Sequence, residues 1–311
     1  MAMAVHEAAA REFQAQRHFL WGFCYRMTGS VTDADAVVQE TFVRALERPP
    51  ADLSGGWRAC LARQAASRSI DALRMRQHRA YTGPWLPALL ETGSAATPPP
   101  SPSDCPNSYD EVESLTVPFL LALEALTPRQ RAVLILQAVF RHNVADTAGA
   151  LDLTFPTVKS TLQKARQLMA DYGQARVPPT RDAQGRVASI LQEFLDRLQQ
   201  FDTSGLESML ARDVRAVSDS GGEFVAPSTV VERRDRVVRL LMKLVDRRGL
   251  PRRYAFRMLN AFPAVVAEAA APAAWAERYV FRIDITSDGQ IREVHTVLAT
   301  AKLAAVRFDP S

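Results

Sequence analysis

The residues best suited to a chemical task lie between Pro156 and Gln167. Thr154 is a good N-cap, and Pro156 and Thr157 fit a first helical turn. Phe155, Val158, Leu162, Ala165 and Met169 then recur at helical spacing, which predicts one buried face. At about 100° per residue, the opposite face carries Pro156, Thr157, Ser160, Gln163, Lys164 and Gln167, with Lys159 and Arg166 on its flank. This face has donors, acceptors and cations but no carboxylate. Such a set suits a helix in a major groove, where base edges are read by hydrogen bonds and phosphates are held by cations. An ordinary solvated helix can look the same, so the neighbouring elements decide.

Those elements run from Leu126 to Met169. The stretch reads as a long apolar helix, a short helix, a tight turn and a second short helix, the order of a helix-turn-helix DNA reader. A second basic feature lies upstream. Trp57 to Ala80 holds six arginines (58, 63, 68, 74, 76 and 79) against one acid, Asp71. The chain as a whole has a net charge of only +4 over 311 residues. The one-sided sign of this helix is therefore a local footprint for phosphates.

The remaining sequence supplies the frame. Phe13, Phe19, Leu20, Phe23, Cys24 and Met27 give residues 12–29 an apolar side, closed by Gly29. Asp33 to Leu46 is a second helix, with Ala34, Val38, Phe42 and Ala45 inward and Asp33, Asp35, Gln39 and Glu40 outside that stripe. Its acids fit either the helix dipole or a docking surface for a basic partner. Pro49–Gly56 reads as a loop, and prolines 98, 99, 100, 102 and 106 make 94–108 a semi-rigid tether. Beyond a second linker, 173–185, an amphipathic helix carries Val187, Ile190, Leu191, Phe194, Leu195, Leu198 and Phe201. A short helix follows near 205–210. Val214–Val225 reads as a hairpin turning at Asp219-Ser220-Gly221-Gly222, and Val230–Val245 as a helix. Strands follow at Arg253–Leu259, Ala264–Ala270, Glu277–Ile285 and Ile291–Leu298, the last pair joined by a turn at Ser287-Asp288-Gly289. Helices followed by a run of antiparallel strands predict an α+β domain. Cys24, Cys60 and Cys105 have no metal-ligand spacing and read as reduced thiols. No apolar run reaches eighteen residues and the start is unlike a signal peptide, so the expectation is a cytoplasmic protein.

These residues carry a resemblance. The stretch GSVTDADAVVQETFVRAL with RACLARQAASRSIDALRMRQHR resembles region 2 of an extracytoplasmic-function sigma factor. LTPRQRAVLIL through TVKSTLQKARQLM resembles region 4 of the same family. Tyr81-Thr82-Gly83-Pro84-Trp85-Leu86-Pro87 resembles the linker motif of a subfamily with a C-terminal SnoaL-like domain. The resemblance implies a multidomain fold: two all-α domains followed by an α+β cone. Region 2 would fall in 1–90, a Pro-rich linker in 91–111, region 4 in 112–172, a second linker in 173–186 and the SnoaL-like domain in 187–311. It also implies roles. Asp33, Asp35, Gln39 and Glu40 would dock on core RNA polymerase. Arg63, Ser67, Arg68, Asp71, Arg74 and Arg76 would melt the minus-ten element of promoter DNA and hold its flipped bases. Pro156, Thr157, Lys159, Ser160, Gln163, Lys164, Arg166 and Gln167 would read the minus-thirty-five element. Trp85, Leu86, Pro87, Asp219, Gly221 and Gly222 would make the contact between the C-terminal domain and the sigma regions.

The sequence departs from the family pattern at several points. Ala36 stands where an acid is usual, Asp152 replaces a turn glycine, and Thr161 replaces a common arginine. The subfamily's Asp-Gly-Gly-Gly-Lys turn reads Asp219-Ser220-Gly221-Gly222-Glu223, with its last charge reversed. Its Asn-Pro-Asp-Lys motif reads Ala299-Thr300-Ala301-Lys302, and Ala88 and Leu89 replace a Glu-Pro. Asp152 can still hold a left-handed turn.

Catalysis in a cone would need a desolvated carboxylate or histidine near an oxyanion donor. Asp219, Asp284, His295, Tyr254 and Tyr279 are the candidates. Asp219 is at home in a glycine-rich turn. Asp284 shares strand parity with Arg282, opposite Phe281 and Ile283, which predicts that it faces solvent. His295 reads as structural. The expectation is a sigma factor tuned by its C-terminal domain, with no catalytic centre, cofactor or metal. Two other readings remain open: a helix-turn-helix regulator that never melts DNA, and a cone-fold enzyme localised by a DNA-binding half.

Overall fold

The computed structural model describes residues 2–47, 56–78, 81–93, 112–175, 177–270, 272 and 274–308. The proline-rich tether 94–108, the loop 49–55, Cys105, Arg79 and the side chain of Arg58 lie outside the described residues. The chain forms two compact units. One comprises 1–80, 98–115 and 119–174, and the other 81–97, 116–118 and 175–311. Residues 81–90, grouped on the sequence with the first helical domain, thus pack with the C-terminal unit. Among the described residues no helix is long and apolar enough to cross a membrane.

The first unit is helical. Its opening helices are α1 (Ala2–Thr28), α2 (Val31–Glu47) and α3 (Gly56–His78). Leu20, Phe23, Tyr25 and Met27 of α1 are buried with Val37 and Val38 of α2 and Leu61, Ala65 and Leu73 of α3. Gly29 ends α1 at φ 64°, and its N–H donates to the Tyr25 carbonyl at 2.7 Å. That left-handed step costs glycine least. Burial pushes the Cys24 thiol up to about 12, so it is an inert core group.

The second helical set is α4 (Val117–Ala122), α5 (Pro128–Leu134), α6 (Val144–Leu151), α7 (Phe155–Leu168) and α8 (Ala170–Ala175). A capping box of Thr127 and Gln130 opens α5, and Asn143 caps α6. Asp152 follows α6 in the left-handed conformation at φ 53°. Val133, Ala148 and Val158 form the small core between these helices. The two helical sets share one unit and are tied by Arg131. This buried guanidinium donates to the carbonyls of Met27 and Leu123 and to Glu124 at 2.7–2.9 Å.

The second unit begins with α9 (Arg181–Gln199) and α10 (Thr203–Met209). Strands β1 (Leu210–Asp219) and β2 (Val231–Glu232), helix α11 (Arg234–Arg248) and strands β3 (Arg253–Leu259), β4 (Phe262–Glu268), β5 (Arg278–Ile285) and β6 (Ile291–Val297) follow. The sheet order is β2-β1-β6-β5-β4-β3. Strands β3 to β6 form the expected antiparallel meander, but β1 pairs parallel to β6. The hairpin expected at Val214–Val225 does not form. Gly221 and Gly222 turn the chain at φ 59° and 80°, and β1 receives only the two-residue β2 as its antiparallel partner. The helix expected from Val230 accordingly starts at Arg234. One face of the sheet packs against α9 and α11 through Val187, Leu191, Phe194, Val237, Leu241, Phe281 and Ile283.

Candidate nucleic-acid interface

Helix α7 is held from behind and open in front. Val158, Ala165 and Met169 are buried, whereas Pro156, Lys159, Ser160, Gln163, Lys164, Arg166 and Gln167 are exposed. The Thr154 hydroxyl accepts from the Thr157 amide at 3.4 Å, and the two hydroxyls lie 2.8 Å apart. Ser160 Oγ donates to the Thr157 carbonyl at 3.1 Å, a bond that a base edge can replace. Phe155 departs from the expected apolar face: it is 56% exposed. As the first helical residue after the cap, it has no preceding turn to pack against. Helical periodicity assigned it inward because periodicity ignores where a helix begins. Its position beside Pro156 gives the exposed face an apolar tip.

The arginine helix α3 is less free than its composition implies. Arg63 donates to the Gly149 carbonyl at 2.9 Å. Arg76 donates to the Thr28 carbonyl at 2.7 Å and to Glu124 at 2.5 Å. Arg68 pairs with Glu40 of α2, and Arg74 lies 3.4 Å from Asp71 on its own helix. Ser67, Asp71 and Arg74 are exposed. Six arginines in a row of sequence do not announce how many acids and carbonyls neighbouring helices will bring to them.

On α2, Asp35, Gln39 and Glu40 are exposed and Asp33 is half-buried. Asp35 accepts from the Trp21 indole at 2.7 Å. Glu40 serves both Arg68 and, at 3.5 Å, Arg44. The candidate docking acids and the candidate melting cations therefore meet at Glu40.

Residues 81–92 form a strap on the C-terminal unit, centred on Asp219. This carboxylate is fully buried at the end of β1. It accepts from the Tyr81 hydroxyl at 2.5 Å, the Leu86 amide at 2.6 Å and the Gly221 amide at 3.1 Å. Lys302 pairs with it, donates to the Leu86 carbonyl at 2.5 Å, and sits 4.6 and 4.8 Å from the ring centres of Tyr81 and Trp85. The strap continues through Leu89 N–H to the Lys302 carbonyl and Leu90 N–H to Asn260 Oδ1. A side chain on Gly222 would press on Thr82, its Cβ falling 3.2 Å from that residue's Cβ. Lys302, the one surviving residue of its motif, thus carries the ion pair. The reversed charge at Glu223 also has a partner: its carboxylate accepts from the Thr300 amide at 3.2 Å, at the start of the short turn bearing Lys302.

Asp284 does not face solvent as strand parity predicts. Residues Val280–Ile285 of β5 are all buried, so alternation there separates two covered faces rather than core from water. Arg282 donates to Asp284 at 2.5 Å and to His295 Nδ1 at 2.7 Å, and His295 Nε2 lies 2.8 Å from Glu293. A ring carrying its proton on Nε2 satisfies both bonds. Burial alone would raise the Glu293 carboxyl. The His295 hydrogen bond and the charges of Arg215 and Arg292 outweigh it and hold the group at about 2. Asp284, Glu293 and His295 have the ligand types for a cation, but the Arg282 guanidinium already supplies the positive charge among them. On the opposite face, Tyr279, Phe281 and Thr296 line a cavity with Tyr254, and among the described residues its lining holds neither an acid nor a histidine.

Comparison with known proteins gives this arrangement its context. The family model of Sigma-70 region 2 matches residues 13–79, and that of Sigma-70, region 4 matches residues 117–169. The chain is 31% identical over 168 residues to the ECF RNA polymerase sigma factor SigL of Mycobacterium tuberculosis, covering 52% of this chain and 88% of that protein. It is 29% identical over 240 residues to SigJ of the same organism, covering 76% and 73%. The crystal structure of SigJ superposes with a TM-score of 0.71 over 96% of this chain and 100% of that one, at 22% identity, which shows a shared fold. Two sigma regions in order, with a relative that is 31% identical and covered over most of its length, place this chain among the extracytoplasmic-function RNA polymerase sigma factors, which direct core polymerase to promoter DNA.

Proposed function

We propose that the outward face of α7 reads the minus-thirty-five element while α3 engages the minus-ten element. The observation that carries this is the division of α7: Val158 and Ala165 are buried, and Ser160, Gln163, Lys164 and Gln167 are open to solvent without a carboxylate among them. Gln163 and Ser160 contact base edges, Lys159, Lys164 and Arg166 hold phosphates, and Pro156 and Thr157 set the entry of the helix. Phe155 joins them as an apolar contact to a thymine methyl. Asp33, Asp35, Gln39 and Glu40 form the polymerase-docking face. A polymerase contact at Glu40 competes with Arg68, so docking releases a cation for DNA. Ser67, Asp71 and Arg74 are open to DNA from the start, and Arg63 and Arg76 join when their carbonyl partners give way.

The C-terminal unit tunes this activity through the Asp219–Lys302 strap contact, which includes Trp85, Leu86, Pro87, Gly221 and Gly222, and performs no reaction. The acids and histidine that could do acid–base work are paired with Arg282 and with one another, away from the lined cavity. The setting is the cytoplasm, where core polymerase acts.

Run-off transcription with core polymerase, combined with permanganate footprinting, tests the reading. Reactive thymines near the minus-ten position are expected only when both proteins are present. Binding to duplex DNA without unpaired thymines would instead favour a regulator that reads DNA and leaves it closed.

A further inference from the structure

The C-terminal unit carries a denser run of cations than α3 does. Arg233–Arg253 holds nine cations against two acids, a net of +7 that exceeds the +4 of all 311 residues. The rest of the chain is therefore acidic on balance. Helix α11 sorts much of this charge onto one side. At about 100° per residue, Arg236, Arg239, Lys243 and Arg247 fall within an arc of about 80°, and all four are exposed. Val237, Val238 and Leu241 are buried on the other side. Asp235 and Asp246 lie along one flank of the arc. Asp235 is engaged by Arg239 at 2.8 Å and by Arg233 at 3.4 Å. Among the described residues no ion pair engages Arg236, Lys243 or Arg247.

Helix stability does not explain this placement. The dipole favours a cation in the last turn, which suits Arg247, but Arg234 and Arg236 stand in the first turn, where it favours acids. Arg233 is the N-cap, at φ 80° and with no capping hydrogen bond, where Ser, Asp or Asn would serve better. The arc has no aromatic ring to stack on an unpaired base and no apolar residue to enter a lipid surface. What remains is a line of positive charge. At a rise of 1.5 Å per residue, Arg236 to Arg247 span about 16 Å, enough to meet several phosphates of one strand. We propose that α11 grips the phosphate backbone of duplex promoter DNA, a contact outside the two sigma regions. The proposal rests on the family's action at promoter DNA and not on which bases α7 reads.

The chain has four lysines, Lys159, Lys164, Lys243 and Lys302, so amine acetylation read by mass spectrometry reports on each surface separately. The holoenzyme is labelled with and without promoter duplex. Lys243 should label several-fold more slowly once DNA is added. Lys159 and Lys164 report on α7 in the same sample, so either contact can fail alone. A Lys243 that DNA leaves unprotected would overturn the proposal. So would a Lys243 already protected by core polymerase before DNA is added, which would point to an acidic protein surface instead. Arg236→Gln, Lys243→Gln and Arg247→Gln combined should flatten the slope of log affinity against log salt by about two to three, at about 0.9 per phosphate. Arg236→Lys with Arg247→Lys should keep the slope, since the charges remain. An unchanged slope in the Gln variant would also overturn the proposal.

Discussion

Replacing Lys302 by Met tests whether the strap is held by charge. Methionine keeps most of the chain's volume and its contact with Tyr81 and Trp85 but removes the ammonium. Asp219 is fully buried and the Lys302 side chain is 11% exposed, so water replaces little of the lost partner. Breaking one side of a buried ion pair costs about 3–5 kcal/mol. The Tyr81 hydroxyl and the Leu86 and Gly221 amides still bond the carboxylate, which argues for the lower end, about 3 kcal/mol. Release of the strap would let Asp219 reach water, so this cost appears as easier opening. At about 1.4 kcal/mol per tenfold, the Leu86 amide should exchange with deuterium about 100 times faster. The neighbouring amides of Leu89 and Leu90, bonded to the Lys302 and Asn260 groups, should follow it if the strap opens as one piece. Adding Asp219→Asn to Lys302→Met removes the stranded charge and should restore most of the protection. Exchange at Leu86 within threefold of the unaltered chain would refute the reasoning.

Other consequences follow from groups placed elsewhere. Lys164→Ala removes an exposed cation of α7; promoter affinity should fall for all sequences alike, and the slope of log affinity against log salt should flatten by about one. Unchanged affinity would take Lys164 out of the interface. Glu293 is held at about 2, below its usual 4.5. A depressed carboxyl stabilises the fold above its unfolded value and loses that contribution as protons bind, so stability should decline as pH falls from about 4.5 toward 2. Glu293→Gln should flatten that part of the curve in urea titrations, and an unaltered acid limb would refute the assignment. Arg282→Met leaves Asp284 buried without its cation and should cost about 3–5 kcal/mol, measurable as a lower denaturation midpoint.

Much of this was legible in the sequence because it depends on local chemistry. The cap at Thr154, the left-handed Asp152 and the meander turn at Gly289 all follow from residue type and spacing. The polar face of α7 is equally local. What escaped is what other parts of the chain bring. Strand parity could not tell that β5 is covered on both faces, so Asp284 was assigned to solvent. A glycine pair near Asp219 looked like a hairpin, yet the chain returns only as the two-residue β2, and the long neighbour of β1 is the parallel β6. The arginines of α3 looked uniform, but Arg63, Arg68 and Arg76 meet partners 86, 28 and 48 positions away. The loss of three motif residues around Lys302 also concealed that the fourth makes the decisive bond.

The distance along the chain from Leu86 to Lys302 is 216 residues. At a bacterial synthesis rate of about 5–20 residues per second, roughly 10 to 40 s separate the birth of the two partners. During that interval the helices of the two sigma regions are already made, and the strap still lacks the lysine that clasps it. A nascent chain therefore carries an unclasped strap for a period whose length is set by ribosome speed.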